Sequence, residues 1–301
     1  MTTTTAPVVV GVAASTVDDD NALRFAAGAA ERRGAPLVLL HAYNPESPAT
    51  HPLISKDVRR NVGQEILAEA GDRLAAIPDT SVEVKTQLVE GRTVGVLLAA
   101  SEGASLVVLR RQDLSSLERI FTGSIIMGVA ARAACPVVSV PAGWDAGVTR
   151  GRVLVGLDDS SISPEALDVA YALAEERGAA LTVLHAWRSP GFYSDVIFAR
   201  TSEETWRKET REHLEKTLAP WSERHRGVTV DVRVEYERPA TALARASSAG
   251  DALVVGRRTR PLPRGLALGS VTRALVASAR CPLIVAPHPG DAAPGKDDAD
   301  S

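Results

Sequence analysis

The chain has 301 residues, of which 45% are hydrophobic, 24% charged and 4% aromatic, and its formal net charge is −3. This length allows two domains of ordinary size, and the composition is typical of a soluble α/β protein. The slightly negative charge argues against nucleic-acid binding, and no apolar run approaches the ~20 residues that a membrane helix needs. The Thr-rich start lacks the basic and apolar regions of a signal peptide, so we expect a cytoplasmic protein with no membrane partner.

One sequence pattern occurs twice, at offsets between 144 and 146 residues. The matching segments are Val8–Ser15 and Val153–Ser160, Leu39–Tyr43 and Val183–Trp187, Gly123-Ser124 and Gly269-Ser270, and Cys135–Val138 and Cys281–Ile284. So steady a spacing indicates duplication of a whole domain. We therefore predict a first copy (residues 1–143), a second copy (150–288) and a tail (289–301), whose Pro, Gly and Asp content predicts disorder.

Each copy predicts the same order of elements. A short apolar run (8–12; 153–157) indicates a strand buried on both faces, as in a parallel sheet. A helix with apolar residues at i, i+3, i+4 and i+7 follows and ends at Gly34 or Gly178, and Ser163-Pro164 supplies an N-cap and a first-turn proline in the second copy. The remaining predictions are a second strand (37–41; 181–185), a charged amphipathic helix (56–76; 203–219), an alternating third strand (82–85; 230–233), a short helix (92–102; 239–248), a fourth strand (106–109; 252–255), a last helix from Ser124 or Ser270, and a fifth strand (137–140; 283–286). Strands alternating with helices predict an α/β fold of two tandem, doubly wound, five-stranded parallel-sheet domains.

The segment between the fourth strand and the last helix of the second copy has the composition of an anion-binding site. We call the stretch from Gly256 to Thr272 the phosphate loop. Backbone N–H groups and the positive end of the helix dipole favour a phosphate there, and Arg257 and Arg258 add positive charge. Gly256 removes a side chain where the backbone must approach a ligand, and Ser270 is expected to cap the helix and donate its hydroxyl. The spacing of these residues alone is equally compatible with a turn and a helix cap that bind no ligand.

The ends of the first two strands of the second copy supply further candidates, because ligands of such sheets bind beyond the carboxyl ends of the strands. Gly156, Leu157, Asp158 and Ser160 end or follow the first strand. Asp158 accepts hydrogen bonds only, so it suits a ribose hydroxyl or a role beside a metal ion. His41 and His185 end the second strands and are interpreted as satisfied polar residues at the sheet rim.

The two copies resemble universal stress protein domains over nearly the whole chain apart from the tail. Nucleotide-binding members of that family carry an aspartate after the first strand and the pattern Gly, two residues, Gly, nine residues, Gly, then Ser or Thr. Gly256 fills the first place, Thr259 stands at the second glycine, and Gly269-Ser270 complete the pattern. The resemblance implies that the second copy alone binds ATP, with or without Mg²⁺. It also implies that Asp158 binds ribose, that Ala186 lies by the adenine, and that the phosphates or their surroundings are contacted by Val255, Gly256, Arg258, Gly269, Ser270, Val271 and Thr272.

Departures from the family pattern are small in the second copy and large in the first. A branched Thr259 is strained if that position needs a positive φ, which would reduce affinity. In the first copy Ala13 replaces the aspartate, Arg110 and Asp113 stand at the first two glycines, and only Gly123-Ser124 remain. Arg110 is expected to fill ligand space and Asp113 to repel phosphate. We therefore expect a structural first copy, and the resemblance implies that it pairs with the second copy through their last strands.

Enzymatic alternatives have little support in the sequence. Ser160 does not lie in the Gly-x-Ser-x-Gly of a hydrolase elbow, and the glycine patterns of dinucleotide folds and P-loops are absent. Cys135 and Cys281 are interpreted as small buried residues, and neither a catalytic residue nor a metal site is predicted. Trp187, Trp206 and the segment 191–193 form the densest aromatic cluster, for which packing of an arm over the pocket is favoured over a partner site.

The sequence therefore predicts a stress-response protein that senses an adenine nucleotide without catalysis. A nucleotide-independent protein that acts through protein contacts, and a slow ATPase, stay open as alternatives. The partner is an unidentified signalling protein, and a homodimer also stays open. The candidate binding residues are Gly156, Leu157, Asp158, Ser160, Ala186, Val255, Gly256, Arg257, Arg258, Thr259, Gly269, Ser270, Val271 and Thr272.

Overall fold

The two copies fold as α/β units that share one ten-stranded sheet. The computed structural model describes residues 5–14, 20–44, 55–78, 80–111, 125–158, 162–188, 202–257 and 268–288. Within these ranges, none of the helices combines the length and the apolarity that crossing a bilayer requires. The predicted tail, 289–301, lies outside the described residues. The domain limits at residues 143 and 150 stay predictions.

The first copy contributes five parallel strands in the order β3-β2-β1-β4-β5. Its elements are β1 (Val8–Gly11), α1 (Asp20–Arg33), β2 (Leu37–Tyr43), α2 (Lys56–Ala75), β3 (Val84–Glu90), α3 (Thr93–Ser101), β4 (Leu106–Arg111), a helix that includes residues 125–130 (α4), and β5 (Val137–Pro141). The apolar run of β1 is buried on both faces, as predicted for a central parallel strand. The doubly wound fold is confirmed.

The second copy repeats this arrangement in the order β10-β9-β6-β7-β8. Its elements are β6 (Arg152–Leu157), α5 (Pro164–Arg177), β7 (Ala180–Ala186), α6 (Glu203–Arg224), β8 (Val230–Glu235), α7 (Pro239–Ala246), a 3₁₀ turn (Ser247–Ala249), β9 (Ala252–Gly256), α8 (Ser270–Ser278) and β10 (Leu283–Ala286). The predicted ends of α5 are confirmed. Ser163 is its N-cap and accepts the Ala166 N–H, while Gly178 ends it in the left-handed conformation with φ 58°.

The last strands join the two copies. β5 and β10 pair in antiparallel register, with Ile284 opposite Val138, and all the other neighbouring strands are parallel. The predicted pairing through the last strands is therefore present. The connection between the copies packs on the first copy, where Trp144 lies edge-on against Phe25 of α1 with ring centroids 5.8 Å apart.

One helix is longer than its sequence predicts. The prediction ended the amphipathic helix of the second copy at residue 219, before Pro220, but α6 continues to Arg224. Contacts with α5 stabilise the extra turn, because Trp221 donates its indole N–H to Asp168 at 2.7 Å and the hydroxyls of Tyr171 and Ser222 lie 2.9 Å apart. Tertiary packing thus outweighs the local preference of proline to end a helix.

Candidate functional site

A cavity of about 310 Å³ opens beyond the carboxyl ends of β6, β7 and β9. β6 lies between β9 and β7, so the cavity is at the point where the strand order reverses. Its lining comprises Gly156, Leu157, Asp158, Ser163, His185, Ala186, Trp187, Pro239, Leu243, Val255, Gly256, Arg257, Gly269, Ser270, Val271 and Thr272. Every predicted binding residue that the structure describes is in this lining. Ser160, Arg258 and Thr259 lie outside the described residues.

The N-terminus of α8 forms one wall of the cavity. Gly269 is the N-cap, with φ −61° and ψ 160°, and no side chain caps the helix. Ser270 is the first helical residue, so the prediction that Ser270 caps α8 is wrong. The backbone of Gly269 already has the extended conformation that an N-cap needs, which leaves the Ser270 side chain on the cavity wall. The wall therefore presents first-turn N–H groups and the positive end of the helix dipole.

Gly256 serves a close approach between two protein elements. A Cβ at this position would lie 2.6 Å from the Cβ and 2.7 Å from the Oγ of Ser163, which is the N-cap of α5. The sequence interpretation assigned the missing side chain to ligand approach, but the space is occupied by Ser163. The glycine therefore lets α5 begin directly against the end of β9, and it shapes the cavity through that packing.

Arg257 borders the cavity, but its guanidinium contacts the first copy. The residue is 3% exposed, and its Nη2 donates to the carbonyl of Ala133. Arg111 occupies the matching position in the first copy, and its Nη1 donates to the carbonyls of Val276 at 3.2 Å and Ala279 at 2.8 Å. The prediction that Arg257 meets phosphate charge did not foresee this contact between the copies.

The sequence analysis omitted several lining residues. Ser163, Pro239 and Leu243 were not predicted to border the site. Trp187 was predicted only as part of an aromatic cluster packed over the pocket, and His185 was interpreted as a satisfied rim residue. That interpretation is confirmed, because His185 Nδ1 lies 3.0 Å from the carbonyl oxygen of Leu157. His41 makes the same contact in the first copy. The motif Leu-His-Ala ends the second strand in both copies, and Trp187 follows it directly in the second copy. This repeat was the sequence signal that could have placed Trp187 at the site.

Aromatic rings surround the outer end of β7. The ring of Trp187 lies 5.7 Å from those of Trp206 and Tyr236, centroid to centroid, and Trp206 also packs 5.9 Å from His185. Trp187 is 38% exposed while it lines the cavity. An indole side chain thus contributes to the cavity wall next to Ala186. Residues 191–193 of the predicted arm lie outside the described residues.

The first copy keeps a smaller cavity at the equivalent place, of about 170 Å³. Ala13 stands where the second copy has Asp158, and Arg110 stands where it has Gly256. Both residues line this cavity, so the expectation that Arg110 fills the ligand space is met only in part, because a cavity remains open beside it. Asp113, Gly123 and Ser124 lie outside the described residues. The two cavities therefore differ in charge as well as in size.

Both cysteines are free thiols buried in the structure, as predicted. Desolvation by burial raises the pKa of Cys135 to about 11 and that of Cys281 to about 12. A thiol with so high a pKa is protonated at neutral pH, so neither cysteine has the thiolate that nucleophilic chemistry requires.

Comparison with known proteins agrees with the duplicated fold. The sequence model of the Universal stress protein family matches residues 5–141 and again residues 149–287. The chain belongs to the universal stress protein family. A universal stress protein of Mycobacterium tuberculosis, Rv2005c, is 32% identical over 294 residues, which cover 93% of this chain and 96% of that protein.

Solved universal stress proteins share the architecture. One from Archaeoglobus fulgidus superposes with a TM-score of 0.70 at 19% identity and covers 94% of this chain and 96% of its own. This likeness concerns the fold and spans both copies. A universal stress protein from the same organism, solved in complex with dAMP, covers 45% of this chain and 97% of its own, at 23% identity and a TM-score of 0.35.

Proposed function

We propose that the second copy binds ATP or a related adenine nucleotide and that the protein acts in the cytoplasm as a non-catalytic sensor. One observation carries the proposal: a single cavity brings together Asp158, the apolar end of β7 at Ala186 and the N-terminus of α8. These three features match the ribose, the base and the phosphates of a nucleotide.

The size and the chemistry of the cavity support this proposal. A volume of about 310 Å³ falls within the range of small-molecule sites, about 300–1,000 Å³. Asp158 accepts hydrogen bonds from hydroxyl groups, and the first turn of α8 offers N–H donors to phosphate oxygens. Mg²⁺ is commonly held by one or two carboxylates together with substrate phosphates, and Asp158 is the carboxylate of the described lining.

The lining favours binding over turnover. Among the described lining residues, His185 and Asp158 are the side chains with general-base chemistry. Because a carbonyl oxygen only accepts, His185 donates its Nδ1 proton to Leu157 and keeps its basic nitrogen at Nε2. The residue is 6% exposed and its ring packs 5.9 Å from that of Trp206, which leaves little access for a water molecule. A ligand whose free concentration is 100 times its Kd stabilises the folded state by about 2.7 kcal/mol. A signalling partner that recognises this stabilised state would report the nucleotide concentration.

Titration calorimetry and thermal unfolding with ATP, ADP and AMP test the proposal. We expect saturable binding of one nucleotide per chain and at least tenfold weaker binding by Asp158→Asn, because the neutral amide no longer offers two strong acceptors to ribose. Asp168→Asn is the matched control, since Asp168 lies on α5 outside the described lining and should leave affinity unchanged.

Other outcomes identify the alternatives. Absence of any thermal shift with the three nucleotides would favour a nucleotide-independent protein that acts through protein contacts. Sustained phosphate release that is lost in Asp158→Ala would favour a slow ATPase. A nucleotide found in the first cavity, beside Arg110, would contradict the assignment to the second copy.

A further inference from the structure

Two arginines connect the copies in a reciprocal way. Arg111 of the first copy donates to the carbonyls of Val276 and Ala279 in the second, and Arg257 of the second copy donates to the carbonyl of Ala133 in the first. The two arginines occupy matching positions in the repeat, and so do Ala133 and Ala279. The contact is thus built twice, once in each direction.

Both contacts act on the elements that form the phosphate end of the second cavity. Ala279 is the C-cap of α8, and the other end of the same helix, from Gly269 to Thr272, lines the cavity. Arg257 follows Gly256 directly and borders the cavity itself. The first copy therefore holds the far end of α8 and also the junction between β9 and the phosphate loop.

The chemistry of the hydrogen bonds from Arg111 suits them to hold the end of α8. Carbonyls at the end of a helix carry partial negative charge, so a guanidinium stabilises them, and hydrogen bonds from charged donors are among the stronger ones in proteins. α8 has only 9 residues, and helices of this length are marginal without tertiary contacts. Contacts that hold its C-terminus therefore act together with its buried residues Thr272, Leu275 and Val276 to position its N-terminus.

We propose that Arg111 and Arg257 are positioning residues through which the first copy shapes the ligand site of the second, so that nucleotide binding and packing of the two copies are coupled. The ligand in this statement rests on the proposed function, whereas the placement of α8 does not. The inference gives the first copy a role in binding even though its own pocket has lost the family pattern.

Amide hydrogen exchange of the full chain without ligand tests the placement of α8. We expect Arg111→Gln to speed exchange at residues 273–278 about tenfold, equivalent to about 1.4 kcal/mol of local opening free energy. Arg33→Gln is the matched control. Arg33 also joins the copies, but it contacts Glu176 of α5 at 3.2 Å and the carbonyl of Ser105, whereas Arg111 contacts the end of α8, so exchange in α8 should stay unchanged.

Binding of ATP to the full chain tests the coupling. We expect Arg111→Gln to raise the Kd about tenfold, Arg33→Gln to leave it unchanged, and Arg111→Lys to recover part of the affinity because an ammonium still donates to one carbonyl. Arg111→Lys also replaces the glutamine variant in both experiments if that variant does not fold.

The outcomes separate the two proposals. The inference would be overturned if α8 of Arg111→Gln exchanged at the wild-type rate, or if Arg33→Gln raised the Kd for ATP as much as Arg111→Gln does. If the wild-type chain binds no adenine nucleotide, the proposed function fails, while the exchange experiment alone still decides whether the first copy positions α8.

Discussion

Substitution of Gly256 by alanine tests whether this glycine serves packing or ligand approach. The new Cβ would lie 2.6 Å from the Cβ of Ser163, so Ser163 has to move. Ser163 Oγ accepts the Ala166 N–H at 3.3 Å and donates to Glu165 at 2.8 Å, and both contacts stabilise the start of α5. Loss of an N-cap costs about 1 kcal/mol and overpacking costs about 1–3 kcal/mol. We expect Gly256→Ala to lower the free energy of unfolding by roughly 2–3 kcal/mol.

A double-mutant cycle measured by urea unfolding checks the cause. Ser163→Gly removes the obstructing atoms, and glycine at an N-cap costs only a few tenths of a kcal/mol. The nearest remaining contact of the new Cβ is then Ala166 at 3.6 Å, an ordinary van der Waals distance. We expect Gly256→Ala with Ser163→Gly to be about 2 kcal/mol more stable than Gly256→Ala alone. Additive losses, or a fall in nucleotide affinity at unchanged stability, would refute the packing argument.

Two further predictions concern Trp187 in the cavity wall and the two cysteine thiols. Trp187→Ala should weaken ATP binding about tenfold, because stacking of a base on an aromatic ring contributes about 1–3 kcal/mol. Binding of inorganic tripolyphosphate, which has no base, should stay unchanged, and Trp187→Phe should keep most of the affinity for ATP. Equal loss for both ligands in calorimetry would indicate a structural role instead. Cys135 and Cys281, with pKa values of about 11 and about 12, should not react with a disulfide reagent at pH 8 until urea unfolds the chain. Because unfolded thiols ionise near 9.0, stability should fall as the pH rises above that value.

Local rules were sufficient to predict most of the fold. Short apolar runs rich in valine, such as Val8–Val10, favour central strands. Ser163 and Gly178 mark the ends of α5 by capping chemistry that depends on neighbouring residues alone. Because the sequence pattern occurs twice, the order of elements predicted for the first copy also predicts that of the second. The continuation of α6 past Pro220 was not predictable in this way, because the contacts that stabilise it come from α5, about fifty residues away along the chain.

Most residues of the described cavity lining were predictable from the sequence, but their contacts were not. Strand ends and the glycine pattern placed Asp158, Ala186 and Gly269 at one edge of the sheet, because parallel strands end together. The approach of Ser163 to Gly256 and the reach of Arg257 to Ala133 depend on distances between elements that follow from packing. Sequence spacing carries no information on such distances.

The antiparallel join of β5 and β10 makes this chain equivalent to a dimer whose subunits cannot dissociate. Two separate chains that associate in this way come apart on dilution, whereas a covalent connection keeps the pair together at any protein concentration. In a symmetric pair of identical chains, every substitution also appears in both pockets. Here Ala13 and Arg110 occur in one pocket and Asp158 and Gly256 in the other, so a fused chain can carry two different pockets in one permanent pair.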